Sequence, residues 1–196
     1  MRNPIRLKNF RMRFLPFYVI GVALLVFFPP RPAGFIAAAP LIALGLALRS
    51  WGAGHLVKND ALTRTGPYAH LRHPLYAGTI LIATGFSVLF GGLLGIGLMA
   101  LIWPWFAFRY FPRKERTESA RLEAIYGNEF KVYRDAVPAL WPRLIGWRAP
   151  STPGQSSPEA QHWMLDRYSD NNELGTLLAV VGGLLLIWIR VIWIGP

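Results

Sequence analysis

The stretch GPYAHLRHPLYAGTILIATGFSVLFGGLLGIGLMALIWPWFAFRY, residues 66–110, decides the fold. From His73 to Phe108 it contains no Asp, Glu, Lys or Arg. A helix needs about 20 apolar residues to cross a bilayer, so the run is too long for one crossing and suits two. Phe90-Gly91-Gly92, near its middle, is a natural turn. The division predicts spans near 75–89 and 93–110. Pro74 fits the first turn of a helix, where its missing N–H is no loss. His73, preceding a proline, is biased toward an extended conformation. The first span is therefore expected to begin at Pro74.

Working outward, residues 14–30, 32–48 and 174–189 are also free of charged side chains. They predict further spans near 15–28, 33–48 and 174–194, with Arg190 snorkelling at the far end of the last. Pro29-Pro30-Arg31-Pro32 cannot continue a helix and reads as a tight hairpin. The fold class is thus an all-α integral membrane protein with about five transmembrane helices. Residues 1–149 form the core. Residues 150–173, rich in Pro, Ser, Gln and Asn, read as a linker, and 174–194 as an additional C-terminal helix. A basic start followed by an apolar run resembles a signal peptide, but Pro-Pro-Arg-Pro replaces a small-residue cleavage site and another span follows at once. No repeat of 20–50 residues is visible.

Composition agrees. Of 196 residues, 53% are apolar and 16% charged, too little polar surface to cover a small soluble domain. The absence of cysteine excludes a disulfide scaffold, thiolate catalysis, Cys-ligated zinc and S-acylation. A net charge of +11 invites a nucleic-acid reading, but the charges are packed between apolar runs. With five spans, nineteen of the 21 Lys and Arg fall on one side, leaving only Arg31 and Arg190 on the other. The positive-inside rule then puts the N-terminus in the cytoplasm and the C-terminus outside. The chain's brevity suggests a prokaryotic inner membrane. The expected partner is a membrane lipid or lipophilic small molecule within the bilayer, with no nucleic acid.

Two cytoplasmic segments are dense in reactive side chains. In 58–76, Arg72, His73 and Tyr76 gather at the predicted helix start, where free N–H groups and the helix dipole attract anions. The competing reading is a plain helix start with a snorkelling Arg and an interfacial Tyr. In 109–142, Leu122, Tyr126, Phe130 and Tyr133 recur at helical spacing, predicting a cytoplasmic amphipathic helix over 113–134. Extending its apolar stripe backward reaches Glu118 and Lys114, which also reads as an ordinary ion pair one turn apart. Glu115, Arg116, Arg121, Glu123 and Lys131 are expected to face water or headgroups.

At these two segments the sequence resembles the isoprenylcysteine carboxyl methyltransferase and phospholipid methyltransferase families. The first family motif stands as Gly66-Pro67-Tyr68 and Arg72-His73-Pro74-Leu75-Tyr76, the second as Glu118-Ser119, Leu122, Tyr126-Gly127, Phe130, Tyr133 and Val137-Pro138. Ser119 replaces the second Glu of the pattern, Asp60-Ala61-Leu62-Thr63 stands where the families carry a His, and Lys114 replaces an Arg. The resemblance implies methyl transfer from S-adenosylmethionine to the carboxylate or amine of a lipophilic substrate. It implies cofactor contacts at Leu62, Tyr68, Arg72, His73, Pro74, Tyr76 and Glu118. It also implies catalytic roles for Arg72, His73 and Tyr76, with His73 the base for an amine acceptor, and substrate contacts at Arg109 and Lys114. Alternatives are an NADPH-dependent membrane reductase of the sterol-reductase type and a non-catalytic membrane scaffold of the same fold.

Three further features have plain readings. His55, His70 and His73 lack cysteines or acidic partners at helical spacing, so no metal is expected. Trp103-Pro104-Trp105 reads as a kinked interfacial end of a span. Gly91 and Gly95 fit either a tight hairpin or a dimer contact.

Overall fold

Apolar runs become helices throughout the computed structural model, which describes residues 15–57, 61–148 and 162–194. No strand occurs among the described residues. Helix α1 (Leu15–Phe27) is followed by the proline-rich hairpin and by α2 (Pro32–His55), which starts with Pro32 in its first turn. The expected end at residue 48 is passed by seven residues. Arg49 does not stop the helix because its charge is met from another element.

Helix α3 (Pro74–Phe90) begins at the expected proline and ends at Gly91, from which α4 (Gly92–Pro104) starts. Helices α2 and α3 approach closely at a glycine pair. A Cβ on Gly45 would lie 2.7 Å from the Gly78 carbonyl oxygen, and one on Gly78 would lie 2.7 Å from that of Gly45. Only glycine admits this backbone contact.

The second cytoplasmic segment starts as the continuation of the fourth expected span: the chain runs without a break from α4 through a π-helical stretch, Trp105–Tyr110, into α5 (Phe111–Tyr126), a rod spanning Gly92–Tyr126. The widened turn follows Pro104, whose absent N–H and ring disturb the ladder, a familiar cause of such local rearrangement. The expected helix over 113–134 is instead two helices. Gly127, at φ +54°, ends α5 and starts α6 (Asn128–Ala136), folding the second half back. A residue with a Cβ rarely adopts that conformation.

From residue 162 the chain packs against the core. Helix α7 (Leu165–Asp170) occupies part of the stretch expected as linker, and α8 (Glu173–Ile194) follows. Trp163 Nε1 donates to the Ser50 carbonyl at 3.0 Å, Met164 N to Gly54 at 3.0 Å, and Asn171 Nδ2 to Ala53 and Leu56 at 2.8 and 3.1 Å. The bonds to Ala53, Gly54 and Leu56 satisfy carbonyls at the C-terminal end of α2, which a helix leaves unpaired. Arg49 Nε donates to Glu173 Oε2 at 3.0 Å, its Nη2 bonds Glu173 Oε1, and its Nη1 reaches the Leu75 carbonyl at 3.1 Å. The far end is tied as well: Arg190 reaches the Val26 carbonyl at 3.5 Å. Ala38, Ile42, Leu89 and Ile187 form a buried cluster that joins α2, α3 and α8.

Among the described residues, three helices are long and apolar enough to cross a membrane: Pro32–His55, Gly92–Tyr126 and Glu173–Trp193. Helix α3 is apolar but shorter. Leu93, Ile96, Leu101 and Phe108 on the long rod are exposed, as suits a surface solvated by lipid.

Candidate functional site

The start of α3 is held by the segment that follows α6. Arg72 N and His73 N donate to the carbonyls of Pro138 and Ala139 at 2.9 and 3.0 Å, and Arg72 Nε donates to Val137 O at 2.9 Å. Tyr133 donates its hydroxyl to the Tyr68 carbonyl at 2.8 Å. The Gly-Pro-Tyr turn, a short helix over Gly66–Ala69, and the first turn of α3 are thus fixed by side chains and backbone some 65 residues downstream.

Against this frame lies α5. Glu115 bonds Arg72 Nη1 with one oxygen and His73 Nε2 with the other. Glu118 accepts the Tyr76 hydroxyl and lies 3.5 Å from His73 Nδ1. Ser119 Oγ donates to Glu115 at 3.2 Å. Both imidazole nitrogens therefore face carboxylates, the arrangement that suits a charged ring. The His73 ring stacks on Tyr76, with centroids 5.5 Å apart, and Phe111 sets its ring edge-on to both.

The polar part of α5 projects beyond the apolar portion of the rod, so its carboxylates lie outside the membrane-spanning part. Burial raises the Glu115 pKa, but His73 and Arg72 outweigh it and hold the carboxyl down at about 2. Burial lowers the His73 pKa, but Glu115 and Glu118 more than compensate and raise it above its ordinary value. For Glu118, burial is likewise outweighed by His73 and Tyr76, and its pKa is lowered. Burial pushes the Tyr68 and Tyr133 phenols up, so both stay neutral.

The signs give a pH profile. Glu115 contributes stability that is complete above its ordinary value of 4.5 and is lost as pH falls toward about 2. The His73 contribution is complete below its ordinary 6.5 and is lost as pH rises through the raised value. Thermal unfolding in detergent is expected to show a stability plateau between these ordinary values, with a decline on each side. His73→Gln is expected to remove the alkaline decline. An unchanged alkaline limb in that variant would assign it to another group.

Of these groups, Tyr68, Arg72, His73, Glu118 and Tyr133 line a cavity of about 410 Å³. Leu62, Tyr68, Arg72, His73, Pro74, Tyr76 and Glu118 all lie in its wall, joined by Tyr126 at the end of α5 and by Phe130 and Tyr133 from the folded-back α6. The apolar stripe thus packs as a unit, with Leu62, Phe130, Tyr133 and Val137 buried together. Arg109 and Lys114 are exposed and stand outside the cavity lining. Arg121, expected to face water, lies in the wall.

Glu115 corrects the expectation that it faces water or headgroups. It is the shared partner of Arg72 and His73. Its signal was present in the sequence: Glu115, Glu118 and Ser119 stand at i, i+3 and i+4, one helix face, opposite two cationic groups that need counter-charge.

Residues 17–129 match the model of a family described as phospholipid methyltransferase. Over 110 residues the chain is 26% identical to the protein-S-isoprenylcysteine O-methyltransferase of Schizosaccharomyces pombe, covering 56% of this chain and 45% of that protein. Over 113 residues it is 34% identical to the cobalt-zinc-cadmium resistance protein CzcN of Cupriavidus metallidurans, covering 57% of this chain and 50% of that protein. The chain therefore spans about half the length of the curated relatives it matches. No solved structure matches it.

Proposed function

Because the chain belongs to the phospholipid methyltransferase family, we propose that it moves a methyl group from S-adenosylmethionine to a carboxylate or amine of a lipophilic substrate in the membrane. The observation that carries this reading is the convergence of residues 62–76 and 118–133 on one cavity. Its volume of about 410 Å³ lies in the range of small-molecule sites. Its wall combines aromatic faces, an apolar slot and an ionised carboxylate, which suits a cationic sulfur, a base and a hydroxylated or amine-bearing tail.

When bound, S-adenosylmethionine supplies an activated methyl whose leaving group departs as a neutral thioether without protonation. The protein is left with binding, alignment and exclusion of water. Glu118 offers its carboxylate to an amine or to hydroxyls. The rings of Tyr68 and Tyr76 offer electron-rich faces to positive charge. Arg72 and His73, read from sequence as catalytic, act in this arrangement by holding Glu115 and Glu118 in place. A His73 ring between two carboxylates keeps its proton, which argues for orientation over proton abstraction. Arg109 and Lys114, exposed on the rod, suit an anionic substrate group at the bilayer surface.

The five-span layout belongs to the same proposal. It puts the N-terminus and the cavity on the cytoplasmic face of a prokaryotic inner membrane, and the C-terminus outside.

Calorimetric titration of the detergent-solubilised protein with S-adenosylmethionine tests the reading, together with transfer of labelled methyl to a membrane lipid extract. Saturable binding and label in the organic phase are expected. Glu118→Ala is expected to weaken binding by about tenfold or more, the scale of one charge-assisted hydrogen bond. Folded protein that binds no S-adenosylmethionine overturns the proposal.

A further inference from the structure

The segment after α6 carries three large apolar side chains that the fold leaves outside. Trp141, Leu144 and Ile145 are 80%, 98% and 79% exposed. This exposure does not come from a loose backbone. Pro138 and Ala139 accept hydrogen bonds from Arg72 N and His73 N, Arg143 N donates to His70 O at 3.0 Å, and Trp147 N donates to Ala69 O at 2.8 Å. His70 Nδ1 donates to the Arg143 carbonyl at 2.8 Å, and Arg143 Nη1 returns to the Ala136 carbonyl at 2.8 Å. Trp147 turns inward against Tyr133, with ring centroids 5.5 Å apart. The segment is pinned at both ends and presents its apolar tip in a fixed direction.

Its position says what covers the tip. The residues it is bonded to, 69–73, immediately precede Pro74, the first residue of apolar helix α3. The tip therefore sits beside the point where α3 begins. No acidic residue occurs between Asp135 and Glu159, whereas Arg143 stands between Trp141 and Leu144 and Arg148 follows Ile145 by three residues. A Trp with aliphatic neighbours and nearby arginines is the chemistry of the headgroup–acyl boundary, and the positive charge complements anionic lipid.

We propose that residues 139–148 form a membrane-docking finger, with Trp141, Leu144 and Ile145 seated in the interface of the bilayer that the helices cross. The finger is an extension of the lipid-facing surface. Because its root bonds the backbone of Arg72 and His73, seating it also fixes the height of the cavity relative to the lipid. The proposal rests on the chain being a membrane protein and is independent of the methyl-transfer chemistry.

The lack of cysteine makes a clean test possible. Full-length Leu144→Cys carries one fluorophore and is reconstituted into phosphatidylcholine vesicles containing phosphatidylglycerol. Asn128→Cys, at an exposed position on α6, serves as the aqueous control. The label at 144 is expected to lose quenching by aqueous iodide and to gain quenching by a nitroxide placed high on the lipid acyl chain. The label at 128 is expected to show the reverse. Equal iodide access at the two positions overturns the proposal. So does shielding at 144 that appears only at high protein-to-lipid ratio, because a second copy is then the occupant. Both side chains are exposed, so labelling leaves the fold intact, and a matching thermal unfolding midpoint verifies this.

Discussion

Replacing Glu115 by alanine is expected to lower stability and, on the proposed function, to abolish most methyl transfer, although sequence reading put this residue in water. Its carboxylate is the common partner of Arg72 and His73, and it also accepts from Ser119. Removal leaves two cationic groups facing each other in a partly buried pocket. Breaking a buried pair costs about 3–5 kcal/mol, and the remaining solvent access of Glu115 places this case near about 2–3 kcal/mol. Release of the His73 ring also disturbs Glu118 and Tyr76 in the cavity wall. A displacement of about 1 Å at a reacting centre is enough for roughly a hundredfold loss of rate. Glu115→Gln retains the shape and one acceptor, so it is expected to recover much of the stability but little of the charge balance. Thermal unfolding and labelled-methyl transfer, measured on both variants, separate the two effects. Wild-type values in Glu115→Ala would remove Glu115 from any role in the site.

Glu173→Ala is the second variant with a large expected effect. Glu173 is 3% exposed, and its carboxylate receives the Arg49 guanidinium through two bonds. The pair joins α8, which lies outside the matched residues 17–129, to α2 and to the first turn of α3. Truncation strands the guanidinium in a buried place, at a cost of about 3–5 kcal/mol. Replacing both partners, as in the Arg49→Met, Glu173→Leu double variant, removes the stranded charge and is expected to restore most of the loss. Thermal unfolding of the single and double variants checks both statements. A Glu173→Ala midpoint within the small range of an exposed ion pair would show that α8 is not held through this contact.

Much of this architecture was legible as a pattern of charge-free runs. The start of α3 at Pro74 and the turn at Gly91 follow from local chemistry that no distant contact overrides. What escaped sequence reading shares one cause. Charged residues were taken as marking water, and a linear pattern does not reveal whether a charge has a partner. Arg49 therefore ended a span that continues to His55, and Glu115 was assigned to the surface. Composition does not reveal that, in the described part of the 150–173 stretch, Trp163 and Asn171 bond carbonyls of α2. Gly127 lay in plain view within the second segment. Its left-handed backbone is required only because Phe130 and Tyr133 must come back beneath the cavity, a demand set by residues 62–76. The gathering of seven positions in one cavity wall was accessible through the family resemblance that the two motifs carry. Arg109 and Lys114 are exposed on the rod and stand apart from the cavity wall.

The unbroken rod from Gly92 to Tyr126 also acts as a depth gauge. At 1.5 Å per residue, Glu115 stands about 35 Å along the axis from Gly92, just beyond a hydrocarbon layer of about 30 Å. If Gly92 marks one shore of that layer, the carboxylates reach only the opposite shore. On the proposed function, an acceptor must then surface its reactive atom at that altitude while its greasy tail stays submerged, so buoyancy in the bilayer becomes a filter on what can be methylated.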